Sequence, residues 1–512
     1  MEKSRTKNTV RNFSSGAIVQ IINKLMAFVV RTIFIKILGT EYLGVNGLFT
    51  NILTVLSFAE LGFGTAIIYN MYKPVADGDK EKIKSLMKLY KKVYTTIGII
   101  VGILGIAVIP FLKYIITNPP NIPENLIAIY ILFLTNTVSS YFITYKKSII
   151  SAYQQESIIN KYSSICYIIK SILEIIFIVF TKNYIIYLTI EIGCTIIQNI
   201  AVSVKAEKMF PYLKEKNVKD IDSNEKKTIF SNVKALALYR FAGTILNGTD
   251  NIIISSLFGV NIVGICSNYT LIISSVTAII ESAINSIIAS IGNLNTSEDY
   301  KKSEKVFYQL LFITYIIYNF CAVSILILIN PFIELWIGKE YLVNSLVVFA
   351  MGLSMYVEGT RFAGYIFRNT YGLFVKGKYV PVLSAILNIL LSIGLGKLIG
   401  ISGVFFATAI SRLVTNIWFD PYLIHKYKFN TNVIKFFKKY MLYAIVFLLN
   451  FMICYIITKG IANTIVGFVI RIIIVLVIPN SSVLLFFGRN EESKEIKERG
   501  LKFVKEKLGN NM

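Results

Sequence analysis

Charged and amide side chains interrupt several long apolar stretches of this chain, where they could bind an ion or an anionic group. Lys24 and Arg31 are seven residues apart in the first stretch, so on a helix they share one face. Farther along, Arg240, Asn247 and Asn251 follow at spacings of seven and four and form a second polar stripe. Ionisable residues inside apolar segments are expensive in lipid, so each one is a functional hypothesis.

Arg361 is a further cation of this kind, and Glu358, three residues earlier, could neutralise it on the same helix. We predict that Lys24, Arg31, Arg240 and Arg361 line a cavity that attracts an anionic substrate. The alternative for these cations is snorkelling towards the interface or pairing within the protein.

Six carboxylates in the apolar stretches are candidates for ion coupling, because a carboxylate in a low dielectric can exchange a proton near neutral pH. They are Glu60, Glu174, Glu191, Asp250, Glu281 and Glu358. Asp250, which lies between Asn247 and Asn251, is the first candidate for a proton or Na⁺ site. Its alternative is a salt bridge to Arg31 or Arg240. Glu60 in AELGFG is the second candidate, and Glu281 is the third.

Two other charged groups are better explained as structural. Lys170 and Glu174 are four residues apart and form a helical ion pair, although Glu174 is also a carboxylate inside an apolar stretch. Arg412 is followed by Asn416 and Asp420, which suggests a polar stripe between helices.

Membrane helices must position these residues. The chain has 512 residues, of which 55% are hydrophobic, and a mean hydropathy of +0.63. About 20 apolar residues cross the hydrocarbon as a helix, and exposed irregular backbone is not tolerated there. We predict fourteen spans, near 12–37, 43–71, 93–117, 125–150, 158–181, 184–204, 229–258, 261–291, 306–329, 341–367, 379–396, 401–424, 440–458 and 461–487.

The basic residues follow a positive-inside pattern. Of 53 Lys and Arg, 39 lie in alternate connections that include both termini, six lie in the other connections, and eight lie inside spans. This asymmetry predicts that both termini are cytoplasmic. It also explains the net charge of +24 without nucleic acid.

Other motifs argue against an enzyme, a cofactor or a metal. The segment GLFVKGKY, Gly372–Tyr379, lacks the final Ser or Thr and the preceding strand of an ATP-binding loop. The five cysteines fall inside spans without CxxC spacing, so we expect free thiols.

The stretch Lys80–Lys92 has helical spacing and is expected to lie along the interface as an amphipathic helix.

A weak repeat and a basic linker predict two halves. IKILGTEYLGV and ISSLFGVNIVGI align Gly39 with Gly259 and Gly44 with Gly264. The linker Lys205–Lys227 follows the sixth span. Two repeated halves with a substrate between them are typical of transporters. We predict an N-lobe at 1–216, a C-lobe at 217–430, and two last spans with a basic cytoplasmic tail at 431–512.

The chain resembles the Wzx-like polysaccharide flippases, in the superfamily that also holds MATE exporters and lipid II flippases. The resemblance is carried by Arg31–Tyr94, which begins RTIFIKILGTEYLGVNGLFTNILTVLSFAELGFG, and by TDNIIISSLFGVNIVGICSNYTLI at Thr249–Ile272. It implies an all-α integral membrane protein with about fourteen transmembrane helices. These would form two pseudo-symmetric six-helix lobes in a V, with two additional C-terminal helices.

The resemblance also implies a function. The expected activity is translocation of undecaprenyl-pyrophosphate-linked oligosaccharide repeat units across the bacterial cytoplasmic membrane by alternating access, coupled to H⁺ or Na⁺, for capsule, O-antigen or other surface polysaccharide. The partners would be the lipid-linked oligosaccharide, membrane lipid and other polysaccharide assembly proteins, without nucleic acid or ATP. The alternatives are a MATE-like drug or cation antiporter and, from a different class, a membrane polysaccharide polymerase.

Overall fold

The computed structural model describes residues 22–60, 63–215, 218–285, 287–296, 299–373 and 376–498. Every regular element in these ranges is a helix, which confirms the all-α prediction for this part of the chain. The helices form two compact units that divide between Ser267 and Asn268.

The first unit contains ten α-helices of six residues or more in the described chain, and the start of an eleventh. They are α1 at 22–38, α2 Thr40–Leu56, α3 Phe63–Asp77, α4 Lys80–Val108, α5 Leu126–Thr144, α6 Lys147–Ala152, α7 Glu156–Thr181, α8 Tyr184–Met209, α9 Ser223–Gly248, α10 Asp250–Phe258 and α11 Val260–Asn285.

The second unit continues α11 and adds the remaining described helices. They are α12 Ile288–Thr296, α13 Tyr300–Trp336, α14 Ser345–Thr360, α15 Phe362–Thr370, α16 Val380–Ile399, α17 Ile401–Leu413, α18 Asn416–Ile424, α19 Ile434–Thr458, α20 Ile465–Phe487 and α21 at 491–498. The long α13 packs against α14, α19 and α20. The hairpin of α16 and α17 packs against α14 through α17.

Eleven helical segments of the described chain are long and apolar enough to cross a membrane. The protein is therefore a multi-pass membrane protein. The three other predicted spans fall on α1, on α2 with α3, and on α9 with α10, so the count of fourteen stays a prediction. The V-shaped arrangement and the lobe limits at 216 and 430 also stay predictions, because the compact units are defined by packing and not by sequence repetition.

Capping side chains define where many helices begin. The carboxylate of Asp79 accepts a hydrogen bond from the Lys82 amide at the start of α4, at 2.9 Å. Asn183 caps α8 through the amides of Ile185 and Ile186, at 2.8 and 3.1 Å. Such caps satisfy amide groups that have no partner within the helix. The capping residues can be read from the sequence, so the starts of these helices are set locally.

The prediction that Lys80–Lys92 lies along the interface as an amphipathic helix was wrong. These residues begin α4, and the helical segment that continues to Ile115 is one of those long and apolar enough to cross a membrane. Ile83, Leu86 and Tyr90 are buried in the core of the first unit. The helical spacing was recognised correctly, but its apolar face packs against protein instead of lipid headgroups.

The basic linker after α8 binds α4 through an ion pair and a hydrogen bond. The Lys84 ammonium lies 2.5 Å from the Glu215 carboxylate, and Lys88 donates to the carbonyl of Val218 at 2.9 Å. Lys82 pairs with Glu225 at the start of α9. The linker therefore packs as part of the first unit, which is consistent with a packing boundary later in the chain, inside α11.

The two repeated glycine hairpins cross each other inside the first unit. Gly39 and Gly259 have φ angles of 89° and 93°, in the region that favours glycine, and a helix starts after each. A Cβ added at Gly44 would collide with the carbonyl oxygen of Val260, and one added at Gly264 would collide with that of Thr40. Because Thr40 and Val260 directly follow the paired glycines, the two contacts are equivalent under the repeat. The tertiary contact therefore has the two-fold relation that the sequence alignment predicts.

Candidate functional site

Arg31 on α1 binds the main chain of α11. Its Nη2 donates to the carbonyl oxygen of Ser267 at 3.0 Å, and its guanidinium faces Tyr187 of α8. Lys24 lies two turns earlier on α1 and is partly buried. The guanidinium of Arg31 therefore already has a main-chain partner, the carbonyl group of Ser267. Substrate binding by Lys24 and Arg31 stays a prediction.

Asn251 occupies the place on α10 that is equivalent to Arg31 under the repeat. The equivalent of Ser267 is Gly47, and a Cβ added at Gly47 would lie 3.6 Å from the Asn251 Nδ2 atom. One polar side chain from each hairpin thus reaches the helix of the other. Arg31 joins the two hairpins through its hydrogen bond to Ser267, which is a structural role that the sequence did not indicate.

The other members of the predicted polar stripe are only partly described. Arg240 and Asn247 belong to α9, but their side chains lie outside the described residues. Asp250 stands in the first turn of α10, after the break at Thr249, and is partly buried. Roles in substrate binding for Arg240 and in ion coupling for Asp250 and Asn247 stay predictions.

Glu60 lies in a tyrosine-rich part of the first unit. The Tyr94 hydroxyl donates to its Oε1 at 2.6 Å. The Tyr94 ring lies 4.4 Å from the Tyr90 ring and 6.0 Å from the Tyr141 ring, measured between centroids. The coupling role of Glu60 stays a prediction.

Glu358, Arg361 and Arg412 form a charged group between α14 and α17, which we call the Arg361 cluster. Arg361 donates to both carboxylate oxygens of Glu358, at 2.7 and 2.5 Å. The Nε of Arg412 lies 3.0 Å from Oε2 of the same carboxylate. The side chains of Glu358, Arg361 and Arg412 are 21%, 21% and 10% exposed, so the cluster is open at one side.

The sequence anticipated only part of this cluster. The pairing of Glu358 with Arg361 agrees with the alternative drawn from their spacing. The sequence suggested that Arg412 belongs to a polar stripe with Asn416 and Asp420, and it did not indicate the contact of its Nε with Glu358. Glu281 on α11 faces Glu358 and Arg361, so a coupling candidate and a substrate-binding candidate share one place.

Arg368 forms a second, closed ion pair that the sequence did not reveal. Its Nη1 donates to Oδ1 of Asp420 at 2.7 Å, and the two side chains are 0% and 1% exposed. The sequence assigned Arg368 to a cytoplasmic connection, whereas it lies on α15 inside a membrane-spanning segment. Its seven-residue spacing from Arg361 could have indicated this. The ring of Tyr365 lies 5.4 Å from the Arg361 guanidinium and 5.6 Å from that of Arg368.

A third charged group joins α7 and α8. Lys170 lies 3.0 Å from Glu191 and 3.4 Å from Glu174, so one ammonium serves two carboxylates. The predicted structural pair of Lys170 and Glu174 is present, but Glu191 was not expected to join it. Only the packing of the two helices shows this third member.

Solved structures with a similar fold are membrane transporters. A multidrug resistance MATE family transporter of the MOP superfamily in an inward-facing conformation has a TM-score of 0.63 and 13% identity, covering 78% of this chain and 97% of its own. Lipid II flippase MurJ, in an inward closed conformation, has a TM-score of 0.64 and 16% identity, covering 92% and 98%. A mutant of the Vibrio cholerae MATE transporter VcmN has a TM-score of 0.52 and 15% identity, covering 83% and 99%.

These similarities establish the fold of the MOP superfamily transporters. No curated protein sequence matches the chain. The model of the polysaccharide biosynthesis protein family (Polysacc_synt) matches residues 9–294, which is more than half of the sequence. The chain belongs to the polysaccharide biosynthesis protein family, as the resemblance predicted.

Proposed function

We propose that this protein translocates undecaprenyl-pyrophosphate-linked oligosaccharide repeat units from the inner to the outer leaflet by alternating access. The transport would serve the synthesis of capsule, O-antigen or another surface polysaccharide in a bacterial cytoplasmic membrane, with both termini in the cytoplasm. Other polysaccharide assembly proteins would supply and consume the substrate.

The observation that carries this proposal is the open Arg361 cluster within membrane-spanning helices. A pyrophosphate cannot cross hydrocarbon without cationic partners, and arginine binds phosphate oxygens through paired N–H groups. Arg361 and Arg412 share the carboxylate of Glu358. A pyrophosphate group would displace this carboxylate and take its place between the two guanidiniums. The closed pair of Arg368 and Asp420 is too buried to take part and supports the helices instead.

Coupling to an ion would reset the transporter after each cycle. The candidates from the sequence keep their order, with Asp250 beside Asn247 and Asn251 first, followed by Glu60 and Glu281. The electrostatic interaction of Glu281 with Glu358 and Arg361 favours it as a group whose protonation changes when substrate arrives. Either H⁺ or Na⁺ is compatible with these groups.

The function is tested in proteoliposomes that contain the purified protein and an undecaprenyl-pyrophosphate-linked oligosaccharide. Accessibility of the sugar to an impermeant lectin measures translocation. The wild type and the control R489A, which changes an arginine outside the spans, should translocate, and R361A should not. Equal rates for R361A and R489A would contradict the cavity model.

A drug or cation antiporter is the second candidate, because the MATE exporters share the fold. An antiporter of this kind would transport cationic dyes in proteoliposomes. A flippase with an arginine-lined site should not transport them. A polysaccharide polymerase is the remaining alternative. Deleting its gene would leave exported single repeats, whereas loss of a flippase leaves lipid-linked repeats on the cytoplasmic leaflet.

A further inference from the structure

We propose that Glu174 is a proton-binding group, and that its proton balances the charge of Glu174, Lys170 and Glu191 within the membrane. The inference rests on the proposed transport function and assigns a coupling site in the first unit. Glu174 is one of the carboxylates inside apolar stretches, but the three leading coupling candidates from the sequence were Asp250, Glu60 and Glu281.

Charge balance is the first step. The group has two carboxylates and one ammonium, so with all three ionised it carries one negative charge. Glu174 is seven residues from the end of α7, and Glu191 is seven residues after the start of α8. At 1.5 Å per residue both lie about 10 Å from the shared helix ends, within the hydrocarbon of a bilayer about 30 Å thick. An uncompensated charge at that depth is expensive, and one proton removes it.

The surroundings offer no other described cation in place of that proton. The neighbouring α5 carries no charged residue. Arg31 on α1 faces Tyr187 and binds the Ser267 carbonyl. The other titratable groups that face the carboxylates are three tyrosines and one cysteine, which are neutral as acids at ordinary pH. They are Tyr167, Tyr184, Tyr187 and Cys194.

The contacts indicate which carboxylate takes the proton. Glu191 accepts a hydrogen bond from Lys170 at 3.0 Å and is 26% exposed. Glu174 is 2% exposed, and its buried Oε1 accepts no hydrogen bond from the described residues, although the ammonium lies 3.4 Å away. A buried charged oxygen without a hydrogen bond costs more free energy than a protonated, neutral one. The ion pair therefore stays with Glu191, and the proton resides on Glu174.

A proton fits this group better than Na⁺. A metal cation needs several oxygen ligands, whereas the ammonium of Lys170 already lies between the two carboxylates. The described residues contain no cluster of three or more acidic, cysteine or histidine side chains that could hold a metal. During transport, Lys170 would shift towards Glu174 as its proton leaves, since the ammonium already contacts both carboxylates.

The test compares E174Q with E156Q, which makes the same change at an exposed position in the first turn of α7. Sugar accessibility is followed in proteoliposomes with and without a pH gradient, acid outside. We expect the gradient to accelerate the wild type and E156Q, and E174Q to translocate at a rate that the gradient does not change. A gradient response retained in E174Q would overturn the inference.

A spectroscopic measurement covers the case in which E174Q folds poorly. The wild type at neutral pH should show the infrared carbonyl band of a protonated carboxyl group, and this band should be lost in E174Q and kept in E156Q. Its absence from the wild type would refute the proton assignment. Failure of the wild type to translocate at all would instead refute the proposed function, so the two failures are distinct.

Discussion

The shared carboxylate of the Arg361 cluster predicts opposite effects for two single substitutions. R361A removes a side chain that makes two hydrogen bonds to Glu358 and that would make similar bonds to pyrophosphate. E358Q removes the charge that competes with the substrate for both arginines. Binding of the lipid-linked pyrophosphate should therefore weaken in R361A and tighten in E358Q.

The magnitudes follow from the geometry. Hydrogen bonds to charged groups are worth about 1.5–3 kcal/mol, so R361A should bind roughly 10- to 150-fold more weakly. The attraction between a carboxylate and a guanidinium near a protein surface is about 4 kcal/mol at 4 Å. Because Glu358 is partly exposed, about 1–2 kcal/mol of this should become available, which corresponds to roughly 5- to 30-fold tighter binding in E358Q.

Equilibrium binding of a fluorescent pyrophosphate lipid in detergent, followed by translocation in proteoliposomes, measures both effects. E358Q should bind more tightly but turn over more slowly, since the carboxylate no longer displaces the substrate for release. R489A is the control for loss of an arginine elsewhere. Weaker binding in both R361A and E358Q would show that Glu358 positions the arginines for substrate instead of competing with it, and would refute the exchange model.

Three further predictions test the fold. G44V should abolish folding or transport, because its side chain would collide with the main-chain carbonyl of Val260. The control G193A should keep both, because no heavy atom lies within 4 Å of a Cβ added there. Equal membrane yields of the two variants would contradict the close contact of the two hairpins. R368A should destabilise the protein by about 3–5 kcal/mol in thermal unfolding, because it leaves Asp420 buried and charged; an unchanged midpoint would contradict the closed pair. The side chain of Lys339 is 83% exposed, so the cysteine of K339C should react with an impermeant maleimide only from outside the cell. Labelling from the cytoplasm would show that the orientation in the membrane is the opposite of the predicted one.

Several features of the fold could be predicted from the sequence because they depend on local composition. Apolar stretches predicted membrane helices, and the described part of the chain contains eleven long enough to span. The Gly39 and Gly259 alignment predicted related hairpins, since a positive φ angle is a local requirement that glycine meets.

Predictions of contacts between side chains on different helices were less successful. The spacing of Glu358 and Arg361 revealed a pair within one helix, but the second arginine comes from α17, 51 residues later. Arg368 was placed in a loop because it follows an apolar stretch, and only its distant partner Asp420 shows that it is buried. The interfacial helix at Lys80–Lys92 failed for the same reason, since an amphipathic pattern does not identify the surface that covers it.

The sequence by itself determined that this chain is a membrane protein of many helices, where its hairpins bend, and to which family it belongs. These properties are set by the cost of placing each segment in lipid and by the conformations open to individual residues. The tertiary structure alone decided which charges meet: Arg412 with Glu358, Arg368 with Asp420, and Glu191 with Lys170. Each of these contacts joins different helices, and its energy depends on distance and burial, which linear order does not specify.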